Sequence, residues 1–306
     1  MIQRLLPFLT LIALVIGLTI ASPNFFTETN LSSVIRQTAV INVMALGMTL
    51  IIISGGIDLS VGSILAMGGL LGTMAMAHGY SIPLGIAFGI GAGLFCGFVN
   101  GLLITRLGIN PFIVTLGSLG IVRGLALIIS NGLPVHDVPK SFSVLGGGSL
   151  LGLPSVLWIL LFCAIAVHVI LDHTRLGRYA FAIGSNSEAA LYAGININLI
   201  TVAVYSIAGM LTGLAGMIEA SRLMTGQPTA GQGYELQAIA AVVIGGGSLR
   251  GGEGSVVGTL IGAFIMGLLS NGSDLLGISP FFKEVIIGLA IIAAVAVDEL
   301  RKRRLG

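Results

Sequence analysis

The sequence predicts an all-α integral membrane protein, and three observations lead to this prediction. Hydrophobic residues make up 55% of the 306 residues, and charged residues make up only 8%. Soluble domains carry about 25% charged residues. Mean hydropathy is +1.06. Ten apolar runs, each near the roughly 20 residues that a spanning helix needs, occupy 5–22, 36–54, 59–77, 82–105, 112–130, 154–171, 199–219, 235–249, 254–272 and 282–298.

The runs predict a single transmembrane domain over residues 1–306, with both termini in the cytoplasm. This orientation places nine basic residues inside and four outside, as the positive-inside rule requires. It makes 131–153 an outer loop, where Gly146 to Gly148 indicate a flexible connection, and 172–198 a cytoplasmic loop. The eighth run is short and ends in glycines, so a partial or re-entrant helix is expected there. The first run is longer than the apolar part of a usual signal peptide, so we expect it to be retained.

Regularly spaced glycines predict how these helices pack. Glycine recurs at every fourth position in the fourth run, and the same spacing recurs at Gly254, Gly258 and Gly262. The glycines of the fourth run are Gly85, Gly89, Gly93, Gly97 and Gly101. Such stripes remove side chains from one helix face and let neighbouring backbones approach closely.

Motifs for chemistry are missing from the sequence. No lysine follows a glycine, so the chain has no P-loop, and neither HExxH nor GxSxG occurs. His168, Asp172 and His173 lack a further Cys or carboxylate nearby and indicate an interfacial cluster, not a metal site. A net charge of +2 does not favour nucleic-acid binding. We therefore expect no catalytic residue, no metal and no cofactor bound by this chain.

The polar loop 172–198 carries a short predicted helix. Ser185 and Glu188 have the spacing of a capping box, and Gly194 is placed to close the far end. Ala189 and Ala190 are small enough for insertion into a groove of a partner protein. This helix is either the contact for a partner in the cytoplasm or a plain interfacial helix.

The glycine pair Gly55 and Gly56 predicts a turn on the cytoplasmic side between the second and third runs. Asp58, just ahead of Leu59, is expected to cap the third helix, with a gating role as the alternative. A similar glycine-rich break lies between the eighth and ninth runs, at 245–258, and a distant internal duplication would explain both.

Neutral polar side chains within the helices are candidates for a translocation path. They are Thr38, Asn42, Asn100, Thr115 and Ser118. Such groups suit an uncharged, hydroxyl-rich solute, although they also bridge helices. Arg123 is the one basic residue well inside a run; it is expected to reach outward to water or to pair with Glu219.

Several motifs resemble, in order, the permeases of ABC sugar importers of the ribose/xylose/galactose class. The matching stretches are Gly55 to Ser63, Arg123 to Leu125, Gln227 to Gly231, Gly233 to Leu236, Ala238 to Val243 and Gly258 to Gly262. Glu188, Ala189, Ala190 and Gly194 match the core of the loop by which such permeases bind their ATPases. No Leu-Pro pair follows Gly194, so that motif is incomplete.

The resemblance implies a transport subunit and not an enzyme. It also implies a cytoplasmic ABC ATPase that uses ATP and Mg²⁺, a periplasmic or lipid-anchored sugar-binding protein, and a second permease subunit, identical or paralogous. The expected location is the bacterial inner membrane. The alternative is an ion-coupled secondary transporter, which would require ionisable residues near the middle of the membrane, where Arg123 alone qualifies.

Overall fold

The computed structural model describes the backbone of residues 2–303 and the side chains of 6–293, 295 and 296. Each of the ten predicted runs coincides with a helix. Across the described residues the α-helices are α1 (Ile2–Ala21), α2 (Glu28–Ile53), α3 (Val61–Ala77), α4 (Ile82–Leu107), α5 (Pro111–Ile129), α6 (Ser143–Gly146), α7 (Ser155–His173), α8 (Arg175–Ser185), α9 (Ser187–Tyr192), α10 (Ile197–Leu223), α11 (Tyr234–Ile244), α12 (Val256–Leu275) and α13 (Pro280–Arg303). A 3₁₀ turn (Lys140–Phe142) and a small hairpin, β1 (Ser149–Leu150) with β2 (Leu153–Pro154), complete the elements.

Six helices of the described part are long and apolar enough to cross a membrane: α2, α4, α5, α7, α10 and α12. Helix α11 has 11 residues and is therefore about 16 Å long, half the hydrocarbon thickness of a bilayer. The prediction that the eighth run forms only a partial helix is confirmed.

Helices α2, α10 and α12 form the inner layer of the protein. Helix α2 packs against α7, α10, α11 and α12, and most of its residues are buried. Helices α4, α5 and α7 lie outside this layer and expose apolar side chains such as Ile128 and Phe162. An exposed apolar face on a helix of this length is what lipid contact requires, so the core lies along α2 and the periphery along α4, α5 and α7.

The glycine stripe of α4 packs against α10, as the spacing predicts. A Cβ atom added to Gly93 would overlap the Gly209 carbonyl oxygen and lie 2.7 Å from the Gly213 nitrogen. A Cβ atom on Gly97 would overlap the Tyr205 carbonyl oxygen. The two backbones are therefore in direct contact, and close helix packing is confirmed.

The second stripe joins α12 to α11. Added Cβ atoms on Gly258 and Gly262 would overlap the carbonyl oxygens of Gly245 and Ala241. Gly254 lies ahead of α12 and faces Ile53 instead. Close packing is confirmed for the two glycines within the helix.

The loop 131–153, predicted to lie outside the membrane, is packed onto the helices. The Phe142 side chain is completely buried, and the Ser221 hydroxyl of α10 donates to the Phe142 carbonyl at 2.5 Å and accepts from the Gly146 amide at 2.8 Å. A Cβ atom on Gly146 would overlap the Ile218 carbonyl oxygen. The prediction of a flexible connection at these glycines is wrong, because Gly146 serves close packing.

Candidate coupling and translocation site

Helix α9 is the predicted short helix of the cytoplasmic loop, and its N-cap is Asn186. The Asn186 side chain accepts a hydrogen bond from the Ala189 amide at 2.9 Å. Ser185 is the last residue of α8, so the predicted capping box with Ser185 is wrong by one residue. Asn186 has an extended backbone (φ −160°, ψ 103°), which separates the two helices. Glu188 lies in the first turn of α9, where its carboxylate interacts favourably with the positive end of the helix dipole.

Gly194 ends α9 in a complete Schellman motif, as predicted. Its φ is +81°, and its amide donates to the Leu191 carbonyl at 2.9 Å. The Ile195 amide donates to the Ala190 carbonyl at 3.1 Å. Both hydrogen bonds belong to the pattern that closes a helix through a left-handed glycine.

The exposed face of α9 differs from the predicted one. Ala190 is 4% exposed and belongs to the hydrophobic core, so it packs against the rest of this chain. Tyr192 is 89% exposed and Leu191 is 60% exposed, and Glu188 and Ala189 are exposed with them. Sequence reasoning missed Tyr192, although a large aromatic residue in a polar loop was a usable signal.

Helix α8 was not predicted, and it connects α9 to the membrane helices. Thr174 accepts from the Gly177 amide at 3.4 Å and begins the helix. Ala180 and Ile183 are buried, whereas the opposite side is polar. An amphipathic helix of this kind lies along a surface, so it gives no long apolar run in the sequence.

Asp58 lies in the connection between α2 and α3 and does not cap α3. Its Oδ1 accepts from the Ser60 amide at 2.7 Å and from the Ser60 hydroxyl at 2.5 Å. Helix α3 begins only at Val61, so the predicted cap ahead of Leu59 is wrong. The carboxylate stabilises the non-helical turn that precedes the helix, an Asx-type arrangement.

Three of the path candidates lie beside Asp58 in a buried polar cluster. Asn100 of α4 donates to the Ser60 hydroxyl at 2.9 Å and accepts from the Ser118 hydroxyl of α5 at 2.5 Å. The Thr115 hydroxyl of α5 contacts the Ile57 carbonyl at 3.3 Å. The Oδ2 atom of Asp58 has no hydrogen-bond partner among the described residues. The cluster therefore links α3, α4 and α5 at the turn.

The other path candidates lie apart from this cluster, on the side of α2 that faces α12. Thr38 packs against Gly267 of α12. Within the described residues, the Thr38 hydroxyl and the Asn42 Oδ1 have no hydrogen-bond partner. About two turns of α2 beyond Asn42, towards Gly55, the Thr49 and Thr259 hydroxyls form a hydrogen bond at 2.7 Å. The structure thus places the five candidates in two groups.

Arg123 binds backbone carbonyls and not Glu219. Its Nη1 donates to the carbonyls of Pro228 and Ala230 at 2.7 and 2.8 Å. Glu219 pairs with Arg222 at 2.9 Å, so the predicted Arg123–Glu219 pair is wrong. Carbonyls of a non-helical segment are free to accept from Arg123, and the nearby carboxylate that interacts with it electrostatically is Glu235, at the start of α11.

The segment 225–233, between α10 and α11, runs along α3. A Cβ atom on Gly226 would overlap the Thr73 hydroxyl near the end of α3, and one on Gly231 would lie 2.8 Å from the Gly62 carbonyl at its beginning. Those two α3 positions are separated by about 16 Å of helix. The short helix α11 therefore begins beside the first turn of α3 and the polar cluster.

His168 and Asp172 form a half-exposed pair at 2.7 Å near the end of α7, and the His173 ring contacts the His168 ring edge-on. Among the side chains that the structure describes, no group of three or more metal-ligating residues occurs. The pair fits the interfacial cluster that the sequence indicates.

Several known proteins are similar to this chain over most of its length. A family model described as branched-chain amino acid transport system, permease component, matches residues 30–295. The ribose import permease protein RbsC of Escherichia coli (strain K12) is 44% identical over 98% of this chain and 94% of its own length. The Bacillus subtilis (strain 168) ribose import permease is 44% identical over 97% and 92%. The L-arabinose transport system permease protein AraH of E. coli (strain K12) is 39% identical over 95% and 88%. No solved structure matches significantly.

Proposed function

We propose that this chain, which belongs to the permease-component family matched over residues 30–295, carries a small neutral monosaccharide of the ribose type across the bacterial inner membrane. It is the membrane-spanning subunit of an ABC importer and not an enzyme. The observation that carries the proposal is the 44% identity to ribose import permeases over nearly the whole chain. Membership of this family removes the ion-coupled secondary transporter as an alternative.

The family description and the relatives point to different solutes. The description names branched-chain amino acids, whereas the full-length relatives import ribose or arabinose. An amino acid carries two charges, and a binding site for it needs charged partners or helix ends. Asn100, Thr115 and Ser118 are neutral donors and acceptors, which suit sugar hydroxyls. The Asp58 carboxylate beside them binds the Ser60 amide and hydroxyl, and a carboxylate can also accept hydrogen bonds from sugar hydroxyls. The proposal therefore follows the relatives.

The importer has a cytoplasmic ATPase and a substrate-binding protein as further components. We propose that a second permease subunit completes the membrane part, and that ATP and Mg²⁺ are bound by the ATPase and not by this chain. We also propose that residues 1–306 form one domain of about ten membrane segments, among them short helices such as α11, with both termini in the cytoplasm. The distribution of basic residues supports this orientation.

We propose the exposed face of α9 as the contact with the ATPase. Tyr192 and Leu191 expose apolar surface on a helix whose two ends are fixed by Asn186 and Gly194. Aromatic anchors of this kind carry much of the binding energy in protein interfaces. Ser185, Glu188 and Ala189 flank this face, and Ala190 positions α9 against the permease.

For the translocation path, the two polar groups support different roles. The Asp58–Asn100–Ser118 cluster lies where the chain leaves helical geometry and where α11 begins, the arrangement that transporters use for solute sites. Thr38 and Asn42 lie between α2 and α12, where bridging of the helices is an equally good role.

Uptake into liposomes tests the proposed function. The chain is reconstituted with its ATPase and binding protein, and radiolabelled ribose, arabinose, xylose and leucine are offered in turn. We expect ATP-dependent accumulation of a pentose and none of leucine. The chain alone should neither hydrolyse ATP nor accumulate solute. Accumulation of leucine, or proton-driven uptake by the chain alone, would contradict the proposal.

A further inference from the structure

Three backbone segments meet on one side of the protein with almost no side chains between them. They are the end of α2 with Gly55, the end of α8 with Gly184, and the α11–α12 connection with Gly251 and Gly252. We call these four glycines the glycine junction. The predicted cytoplasmic turn at Gly55 and Gly56 is part of this region.

The contact between α8 and α2 is backbone to backbone. A Cβ atom added to Gly184 would overlap the Ile53 carbonyl oxygen and lie 2.6 Å from the Gly252 nitrogen. Real Cβ atoms essentially never come within 3.0 Å of such atoms. Only glycine therefore allows α8 to touch both partners at this position.

The α11–α12 connection makes the third side of the junction. The Gly252 amide donates to the Ile53 carbonyl at 2.9 Å. A Cβ atom on Gly251 would lie 2.7 Å from the Gly184 carbonyl and 3.0 Å from the Gly55 Cα. Gly55, Gly251 and Gly252 have φ of +84°, +87° and +74°, which only glycine adopts without strain.

Helices α8 and α9 share one fixed hinge residue. The Asn186 amide donates to the Ala182 carbonyl at 3.0 Å at the end of α8, and the Asn186 side chain caps α9. Gly184 lies two residues before Asn186, so a displacement of α9 acts on Gly184 directly. Side chains would absorb part of such a displacement by changing rotamer, whereas touching backbones pass it on.

We propose that the glycine junction transmits the displacement of α9 to the inner ends of α2 and α12, and that Gly55, Gly184, Gly251 and Gly252 are positioning residues for transport. This inference rests on the proposed function. Each receiving segment leads to one polar group. Ile53 leads through the turn to the Asp58 cluster, and Gly252 leads to α12, where Thr259 bonds Thr49. The junction thus connects one cytoplasmic contact to both candidate path regions.

The first experiment is Gly184→Ala in the complete importer, reconstituted in liposomes. The added methyl group should shift α8 from Ile53 without touching the exposed face of α9. We expect normal ATPase binding and continued ATP hydrolysis, with solute uptake reduced about tenfold or more, the scale of typical coupling energies. Gly91→Ala, on α4 with open space around its Cβ position, is the matched control and should behave as wild type.

Solute uptake per ATP hydrolysed tests the same proposal if Gly184→Ala lowers the yield of the folded complex. Gly97→Ala, in the stripe between α4 and α10, is the matched control. Its added Cβ atom overlaps the Tyr205 carbonyl oxygen, so it disturbs backbone packing away from the junction.

We expect the ratio of solute taken up to ATP hydrolysed to fall about tenfold in Gly184→Ala and to keep its wild-type value in Gly97→Ala. An equal fall in both variants would show that any loss of backbone packing uncouples the importer, and it would overturn the proposal. Wild-type uptake by Gly184→Ala would overturn it too. Failure of the wild-type importer to take up any sugar would instead count against the proposed function.

Discussion

The glycine stripe between α4 and α10 and the glycine junction beside α9 use the same residue for different purposes. In the stripe, Gly93 and Gly97 keep helical backbone geometry and repeat at fixed spacing along a straight contact. In the junction, three of four glycines have positive φ and lie in the connections between helices. The stripe is suited to fixed packing, and the junction is suited to passing on movement. The difference teaches that a tight glycine contact gains its function from the geometry of the chain around it.

Gly93→Leu should have the largest effect and would confirm that the stripe is static. Its neighbours are backbone atoms of α10, which cannot rotate away, so overpacking at the upper end of the usual range of about 1–3 kcal/mol is expected. The measurement is the yield and thermal unfolding of detergent-solubilised permease. Gly91→Leu, on the open side of the same helix, is the control. A stable Gly93→Leu protein with altered sugar preference would show that the stripe lines the translocation path. The stripe would then not be a static packing contact that differs from the junction.

Tyr192→Ala should weaken ATPase binding by about thirtyfold, because an interface anchor is typically worth about 2 kcal/mol. The side chain is exposed, so the thermal stability of the permease should not change. Binding is measured with purified ATPase in a pull-down titration. Tyr80→Ala, at an exposed tyrosine between α3 and α4, is the control. Unchanged binding would show that the ATPase contacts another part of the protein. The glycine junction would then have no displacement of α9 to transmit.

Asp58→Ala should destabilise the turn next to the junction by about 1–3 kcal/mol, because it leaves the buried Ser60 amide without an acceptor. Asp58→Asn keeps an oxygen for that amide and should unfold close to wild type. Thermal unfolding of both variants gives the comparison. Equal damage by both substitutions would mean that the second carboxylate oxygen is required, in contrast to a purely structural turn.

Gly194→Ala should have the smallest effect, because the position is strained by its φ of +81° but has open space around it. A non-glycine residue there costs about 1 kcal/mol. We expect about fivefold weaker ATPase binding and unchanged permease stability. A large loss of stability would show that α9 is part of the static packing and not a separate handle.

Much of the fold could be predicted from the sequence, because long apolar runs and four-residue glycine spacing are local signals. The partial length of α11 and the glycine end of α9 were predicted for the same reason. Helix α8 was missed since an amphipathic surface helix has no apolar run. The sequence predicted Ser185 as the N-cap of α9, one residue before the observed Asn186, because serine and asparagine are about equally good N-caps.

The errors within the site have a common physical cause. Asp58 and Arg123 bind backbone groups of non-helical segments. Local sequence patterns do not reveal which part of the fold such segments contact. The junction glycines were likewise unrecognised as a set, because their contacts join parts of the chain that lie far apart in sequence. Side-chain pairing rules therefore gave the wrong partner for Arg123.

The hydrogen bonds of Arg123 have a consequence for the order of synthesis. The first of its two carbonyl partners, Pro228, is made 105 residues later. At ribosomal speed that delay is roughly 5 to 20 s, during which α5 enters the membrane with an unsatisfied guanidinium group. Its side chain must reach the lipid headgroups in that interval, as long basic side chains do. We therefore expect the outward-reaching arginine of the sequence prediction in the nascent chain, until segment 225–233 supplies the carbonyls of Pro228 and Ala230.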